Sequence, residues 1–244
     1  MHGLSAAQIL LIWERGQGLS FGQKAMLLLM TAAGDERPEQ LTRLSIGQRD
    51  SRLLALRTLT FGPRLEGLAK CPACEESVEI SVNAPELCVE THGDESEDRF
   101  VSMDGYELHF RLPNGADLAS LASDTGIAEA RSHLLRRCLR EATYQEKPIS
   151  FEDLPDQTAA ALSEQISQAD PQADIQLALN CPHCSHEWQT PFDIVSFFWT
   201  ELSSRALRVL HEVHALASAY GWSESEVLGL SPWRRQAYLE LVTV

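Results

Sequence analysis

Two Cys-x-x-Cys brackets constrain the fold of this chain more than any other feature. Each carries a proline after its first cysteine and borders a β-prone segment; the first bracket is Cys71–Cys74 and the second is Cys181–Cys184. Because two intervening residues let a tight turn aim both sulfurs at one point, each bracket supplies half of a tetrahedral thiolate site. We therefore predict one structural zinc ion with four ligands, Cys71, Cys74, Cys181 and Cys184. A shared ion would join brackets that lie 106 residues apart and make the intervening residues an insertion.

A redox pair and ordinary buried thiols are the alternatives to zinc. A thioredoxin-like pair needs a single bracket that opens a helix in a βαβ unit, and neither bracket has that context. His183 and His186 could compete as ligands, but four thiolates already close the site and leave no position for water. We therefore expect a structural ion, with both histidines outside its coordination shell. Cys88 and Cys138 lack partner spacing and are expected to be free thiols.

The charge of the chain argues against several classes of function. The chain carries 35 acidic and 20 basic residues, a net charge of −15 over 244 residues. Since affinity for nucleic acid comes largely from lysine and arginine, we expect no nucleic-acid partner. Six cysteines without a visible signal peptide favour metal over disulfides. Because no run of 18 apolar residues occurs either, we expect a cytoplasmic protein without a membrane span.

No catalytic motif is apparent. His211 and His214 flank Glu212, but they stand at i and i+3, whereas the His-Glu-x-x-His zinc proteases need i and i+4. A surface pair on a helix is the simpler interpretation, and a metal-dependent hydrolase is the alternative. The nucleophile-elbow, P-loop and dinucleotide-binding signatures are also missing. The sequence therefore predicts a protein without enzymatic activity or a small-molecule substrate.

Periodicity and turn residues predict an α+β, mostly helical fold. A split zinc-ribbon-like module of two β-hairpins, at 67–82 and 175–192, would carry a helical insertion and a helical C-terminal region. The predicted regions are N-terminal helices (1–66), the first zinc knuckle with β-hairpins (67–114), the helical insertion (115–174), the second zinc knuckle (175–193), and a long helix with two short helices (194–244).

Local patterns add detail between the brackets. Asp104-Gly105 lies between two alternating segments and predicts a two-residue hairpin turn. Asp117 is expected to start a short helix at 118–122, and residues 127–142 are expected to form one amphipathic helix with a basic strip. Residues 85–98 are expected to be an acidic, solvated link.

The longest predicted helix, 194–220, carries an apolar seam whose residues step by three and four. Such a seam packs on another helix, in this chain or in a neighbouring protein. Arginines near position 50 offer a second surface for contact. The candidates for partner contact are therefore Arg49, Arg52, Val209, Val213 and Leu216.

The order of motifs in the first half of the chain resembles that of a known family. The helix start Leu44–Asp50 leads into a leucine- and arginine-rich helix, then an aromatic-glycine step at Phe61-Gly62, then the first bracket; a turn follows at 111–117. In this order the motifs resemble those of the baseplate proteins of contractile phage tails and phage-like contractile injection systems. That group is related to the T4-type baseplate hub assembly chaperones.

The resemblance implies a non-enzymatic assembly factor, either chaperone or scaffold, or a minor structural component of the baseplate. Its partners would be other baseplate or tail proteins, met in the bacterial or phage-infected cytoplasm or in the tail particle. A zinc-containing regulatory or nucleic-acid-binding module is the alternative. That module needs a basic face around the brackets, where the sequence instead places Glu75, Glu76, Glu79 and Glu187.

Overall fold

The computed structural model describes residues 1–34, 37–89, 98–121 and 126–242. The helices are α1 (Ala6–Arg15), α2 (Phe21–Ala32), α3 (Pro38–Arg43), α4 (Ile46–Phe61), α5 (Gly115–Ala119), α6 (Ile127–Cys138), α7 (Asp156–Ala169), α8 (Ile194–Tyr220), α9 (Glu224–Leu228) and α10 (Pro232–Val242). The strands are β1 (Arg64–Lys70), β2 (Ser77–Asn83), β3 (Arg99–Met103), β4 (Tyr106–Phe110), β5 (Leu139–Tyr144), β6 (Lys147–Pro148), β7 (Gln176–Asn180) and β8 (Glu187–Pro191). They form three antiparallel sheets, ordered β1-β2, β3-β4-β5-β6 and β7-β8.

The predicted α+β class with mostly helical content is confirmed. Within the ranges described, no helix combines the length and the apolar character that a membrane crossing requires. The predicted acidic link at 85–98 falls largely on residues 90–97, which lie outside the described residues.

The long helix α8 is the centre of the main core, the cluster formed by the N-terminal and C-terminal helices. Its Phe198, Leu202 and Val209 side chains are fully buried, and α1, α2, α4, α9 and α10 pack around it. The helix ends at Gly221, whose φ of 68° is the left-handed conformation that glycine adopts without strain. The seam of α8 thus packs within this chain, which is one of the two arrangements that the sequence left open.

Helix starts in this core are fixed by local hydrogen bonds. A serine begins four of these helices, and its hydroxyl accepts a hydrogen bond from the backbone N–H three residues on. The side chain at that third position accepts a hydrogen bond from the backbone N–H of the serine. The serines are Ser5, Ser20, Ser45 and Ser223. These capping boxes satisfy backbone donors that the first turn of a helix leaves unpaired.

A second, smaller core lies between the brackets and is called the insertion core here. The four-stranded sheet packs against α6 and α7 through buried apolar side chains, among them Leu108, Phe110, Leu135 and Leu162. The predicted hairpin turn is confirmed, because Met103 pairs with Tyr106 around Asp104-Gly105. Both turn residues have positive φ, which is typical of a tight two-residue hairpin.

The predicted helix at 127–142 is wrong in its second part. Helix α6 ends at Cys138, and the next six residues form β5, which pairs with β4. The segment ends in Ala142, Thr143 and Tyr144, and Ala142 is buried in the insertion core. Pairing with β4 places this alanine in the core, so a tertiary contact overrides the helical periodicity of the segment.

The role predicted for Asp117 is also wrong. Asn114, not Asp117, begins the helix, which spans Gly115–Ala119 and not 118–122, a range whose last residue is not among those described. The Asp117 side chain is fully buried and accepts hydrogen bonds from Arg111 at 2.5 and 2.8 Å and from Arg137 at 2.8 Å. A buried carboxylate with two arginine partners fixes the turn to α6.

The two cores meet at the start of α4, and the contacts there form what we call the junction. The backbone N–H of Ile46 donates to the Pro113 carbonyl at 3.1 Å, and the N–H of Gly47 donates to Asp170 Oδ2 at 2.9 Å. A Cβ on Gly47 would lie 2.0 Å from Asp170 Oδ1, so only glycine allows this approach. The helix start and the 111–117 turn, two motifs that support the family resemblance, are therefore neighbours in space.

Candidate metal centre and partner surfaces

The structure brings the four predicted cysteine ligands together at the tips of two hairpins. Their sulfurs all lie within 4.8 Å of one another. The closest pairs run between brackets: Cys71 Sγ lies 3.7 Å from Cys184 Sγ, and Cys74 Sγ lies 3.6 Å from Cys181 Sγ. Four thiolates bound tetrahedrally at ~2.3 Å would be separated by about 3.8 Å. The cluster therefore has the dimensions of a four-thiolate metal site.

Each bracket occupies a six-residue turn that closes an antiparallel hairpin. Residues 71–76 follow the last pair of the β1–β2 ladder, and residues 181–186 follow the last pair of the β7–β8 ladder. In both turns the N–H of the first cysteine donates to the carbonyl of the sixth residue at 2.9 Å, and the N–H of the fifth residue donates back to the first cysteine's carbonyl at 2.9 Å. The two knuckles are thus built alike.

A strained residue completes each knuckle. Glu75 has a φ of 60° and Ser185, at the corresponding place, has a φ of 58°. A positive φ is unfavourable for residues with a side chain, so it is kept only where the surrounding structure requires it. Here the residue with positive φ turns the chain back into the second strand of the hairpin, and both sulfurs of the bracket face the other knuckle.

Apolar side chains cover the cysteines. Val78 and Trp188 stand at corresponding positions of β2 and β8, and both pack in the cluster that contains Cys71 and Cys181. Cys71 and Cys181 are buried, whereas Cys184 is exposed. An apolar surround strengthens the attraction between thiolates and a cation, because water competes less for the charge.

Backbone N–H groups, burial and neighbouring sulfurs all shift the pKa values of the bracket thiols. N–H groups of Cys184 and then His183 lower the pKa of the Cys181 thiol to about 7. The N–H of Glu76 lowers the pKa of Cys74, but burial and hydrogen bonds with the other three thiols outweigh it and raise that pKa to about 12. Four sulfurs this close do not all ionise on their own, since each thiolate repels the next. A bound divalent cation would attract the thiolates and lower their pKa values, so that all four sulfurs could be ionised together.

The remaining cysteines and the bracket histidines stand apart from this cluster. His183 and His186 are exposed, and the ring of His186 stacks on Trp188 with centroids 6.1 Å apart. Cys88 is an exposed thiol directed at the Ala84 carbonyl. Cys138 is buried, and burial raises the pKa of its thiol to about 11. None of these four side chains belongs to the metal-binding group found among the described residues.

The surface around the knuckles is acidic. Glu75, Glu76, Glu79 and Glu187 are all exposed there. A phosphate backbone would meet carboxylates at this end of the molecule, which disfavours the nucleic-acid-binding alternative.

Four of the five residues predicted to contact a partner lie inside the fold. Arg49 is 8% exposed and pairs with Asp50 at 2.7 Å. Val209, Val213 and Leu216 are buried in the main core. Arg52 is half-buried. Partner contact stays a prediction for these residues.

Sequence patterns missed a groove between the two hairpins. We call it the β1 groove; its volume is about 520 Å³, and it lies between the hairpins above the first turns of α8. Its lining residues are Leu65, Glu66, Gly67, Leu68, Ala69, Ile80, Val82, Leu177, Thr190, Pro191, Phe192, Asp193, Ser196, Phe197, Thr200 and Glu201. In the sequence, the apolar Leu68 stands on the face of β1 opposite the buried Leu65, and this position could have indicated a surface here; in the structure Leu68 is 72% exposed.

Comparison with known proteins identifies the family of this chain. A family model described as T4 bacteriophage base plate protein matches residues 22–199. No curated protein and no solved structure matches the chain significantly. The matched range contains both brackets, the junction and the first turns of α8. The chain therefore belongs to the T4 bacteriophage base plate protein family.

Proposed function

We propose that this chain is a non-enzymatic baseplate protein that acts as an assembly factor or as a minor structural component. The particle would be a contractile phage tail or a phage-like injection system, and the partners would be other baseplate or tail proteins. The observation that carries the proposal is the family match over residues 22–199, which spans both cysteine brackets. The acidic knuckle surface favours protein partners over nucleic acid.

We further propose that Cys71, Cys74, Cys181 and Cys184 hold one structural zinc ion in a split zinc-ribbon-like module. Four thiolates fill a tetrahedral shell, so the ion would have no open position at which to activate water. A two-stranded hairpin is only marginally stable by itself. One ion bound by both knuckles would supply binding energy that stabilises the two hairpins together.

The place of this module explains what zinc would do for the protein. Strand β1 follows α4 after two residues, and α8 follows β8 after two residues. Arg57 of α4 and Glu201 of α8 form an ion pair at 2.5 and 2.8 Å beside the same hairpins. A metal that fixes the hairpins would therefore also fix how α4 and α8 approach each other.

Metal content tests the zinc proposal directly. Elemental analysis should find about one zinc per chain under the four-thiolate model. Because both brackets contribute ligands, Cys71→Ser and Cys181→Ser should each lose the ion. Cys88→Ser is the matched control, since that cysteine lies outside the cluster. Zinc retained in Cys181→Ser would exclude a shared site.

Deletion of the gene from a tail-producing genome tests the assembly role. The expected result is tails without a functional baseplate, restored by the gene in trans. Mass spectrometry of purified particles then separates the two forms of the proposal, because a structural component stays in the particle and a chaperone does not. Normal baseplates after deletion would contradict both. A shift of nucleic acid by the protein in an electrophoretic assay at physiological salt would support the alternative module instead.

A further inference from the structure

The β1 groove runs along the edge of a strand. Five consecutive residues of β1, Leu65 to Ala69, line it, whereas β2 contributes only Ile80 and Val82. Side chains of a strand alternate between its two faces, so consecutive lining residues mark an edge and alternating ones mark a face. Among the described residues, β1 pairs with β2 alone. Its other edge therefore presents backbone N–H and C=O groups towards the groove.

The floor of the groove is apolar and close to this edge. Phe197 of α8 packs against Phe192 with ring centroids 5.4 Å apart. A Cβ on Gly67 would lie 3.6 Å from the Phe197 ring, so the backbone of β1 passes near the aromatic floor. On the rim, Leu68 exposes 72% of its surface. An open strand edge beside an apolar floor is the arrangement that binds extended peptides.

The charged residues that line the groove are all acidic. They are Glu66, Asp193 and Glu201, and no lysine or arginine of the described chain stands among the lining residues. Glu201 is already paired with the buried Arg57. Glu66 forms an ion pair with Arg64 at 3.0 Å, but both side chains are exposed, so water screens this pair and Glu66 can exchange its partner. Asp193 is exposed and accepts the Val195 N–H at the start of α8. The rim therefore favours a ligand that carries positive charge next to its apolar side chains.

We propose that the β1 groove binds an extended segment of a partner protein as an added strand on β1. The segment would have apolar side chains at alternate positions, directed at the floor, and a lysine or arginine that meets Glu66 or Asp193. That the partner is a baseplate or tail protein rests on the proposed function; the strand-binding site itself does not.

Nuclear magnetic resonance on the full, zinc-loaded, ¹⁵N-labelled chain can test the site. The probe is a peptide of alternating valine and threonine with a lysine at each end. Its addition should shift the amide signals of Leu65 to Ala69 and slow hydrogen exchange at those alternate amides that face away from β2, because an added strand protects the open edge of β1. A peptide N-methylated at every valine and threonine should bind about tenfold more weakly, since it lacks backbone donors between its lysine ends. A peptide with glutamate ends should also bind more weakly.

Variants separate the groove from the rest of the surface. Leu68→Asp and Thr200→Trp change exposed lining residues and should abolish binding of the probe. Leu207→Asp is the matched control, because Leu207 is a half-exposed leucine of α8 outside the groove. The control should bind like the unchanged chain, and circular dichroism should show that all three variants are folded.

Several outcomes would overturn the proposal. They are no binding of the lysine-ended probe, equal binding of the N-methylated peptide, amide shifts away from β1, or unchanged binding by Leu68→Asp. Sedimentation that shows a dimer lost in Leu68→Asp would assign the groove to a second copy of this chain and would also overturn it. If the chain binds the probe but baseplates form normally after deletion of its gene, the proposed function is refuted, whereas the proposed binding site in the groove is supported.

Discussion

Replacement of Gly47 by alanine is the sharpest test of the junction. A Cβ at this position would lie 2.0 Å from Asp170 Oδ1, 2.8 Å from Asp170 Cγ and 3.0 Å from the Ala173 backbone nitrogen. Asp170 is 5% exposed and accepts the Gly47 N–H, so it has little room to move. We expect Gly47→Ala to push the carboxylate away and to break that hydrogen bond.

The loss of stability expected for Gly47→Ala is the balance of three effects. Overpacking of a buried site costs about 1–3 kcal/mol, and loss of a hydrogen bond to a charged group costs about 1.5–3 kcal/mol. Alanine regains up to about 1 kcal/mol over glycine in a helix. The expected net loss is about 3 kcal/mol of unfolding free energy, which for a chain of this size lowers the melting temperature by about 6–12 °C.

The chain contains a matched control. Gly22 occupies the second position of α2 behind the capping box of Ser20, as Gly47 does in α4 behind Ser45. A Cβ on Gly22 would meet nothing within 4 Å. Gly22→Ala should therefore be neutral or slightly stabilising.

Thermal and urea unfolding, followed by circular dichroism at fixed zinc concentration, measure both variants. The double variant Gly47→Ala/Asp170→Ala should cost less than the sum of its single changes, because removal of the carboxylate removes the main clash. A Gly47→Ala protein as stable as the unchanged chain would refute the steric account, and so would strict additivity in the double variant.

Two further predictions concern buried groups of the insertion. Asp117→Asn should lose about 3 kcal/mol of stability, because it leaves Arg111 and Arg137 without their buried carboxylate; the test is urea unfolding at neutral pH. Burial opposes ionisation of Asp117, but hydrogen bonds from Arg111, the Asn114 backbone and Arg137 lower its pKa well below the ordinary value. This stabilisation is present above the unfolded-state pKa of about 3.9 and is lost as the pH falls through the folded-state pKa. The difference in unfolding free energy between Asp117→Asn and the unchanged chain should therefore shrink in acid. A difference that stays constant with pH would contradict the assignment. A thiol reagent at pH 8 should modify the exposed Cys88 quickly, and the buried Cys138 only when the protein unfolds. Mass spectrometry of the digested protein measures both rates. Fast labelling of Cys138 in the folded protein would contradict its burial.

Local patterns predicted the parts of the structure that local forces decide. The Asp104-Gly105 turn and the period of α8 each depend on residues that are close in sequence, so the sequence alone locates those elements. The meeting of the two brackets could be predicted because a four-thiolate shell needs both halves.

Other features depend on neighbours that are distant in sequence. Arg49 looks like a surface residue on its helix, but it pairs with Asp50 at the junction, beside Asp170. Residues 139–144 become a strand only because β4 lies beside them. The β1 groove exists only through the placement of two hairpins against α8. No pattern within a single segment encodes these contacts.

A metal shared by Cys74 and Cys181 has one more consequence, for how the chain tolerates change. It would close a loop of 106 residues, and the entropic cost of closing a loop grows only with the logarithm of its length. Doubling the loop would add about 0.6 kcal/mol, less than the loss of a single buried methyl contact. With the metal in place, the segment between the brackets can therefore gain or lose surface loops at little thermodynamic cost. The contacts of the junction, at Ile46, Gly47, Pro113 and Asp170, constrain a changed insertion more than its length does.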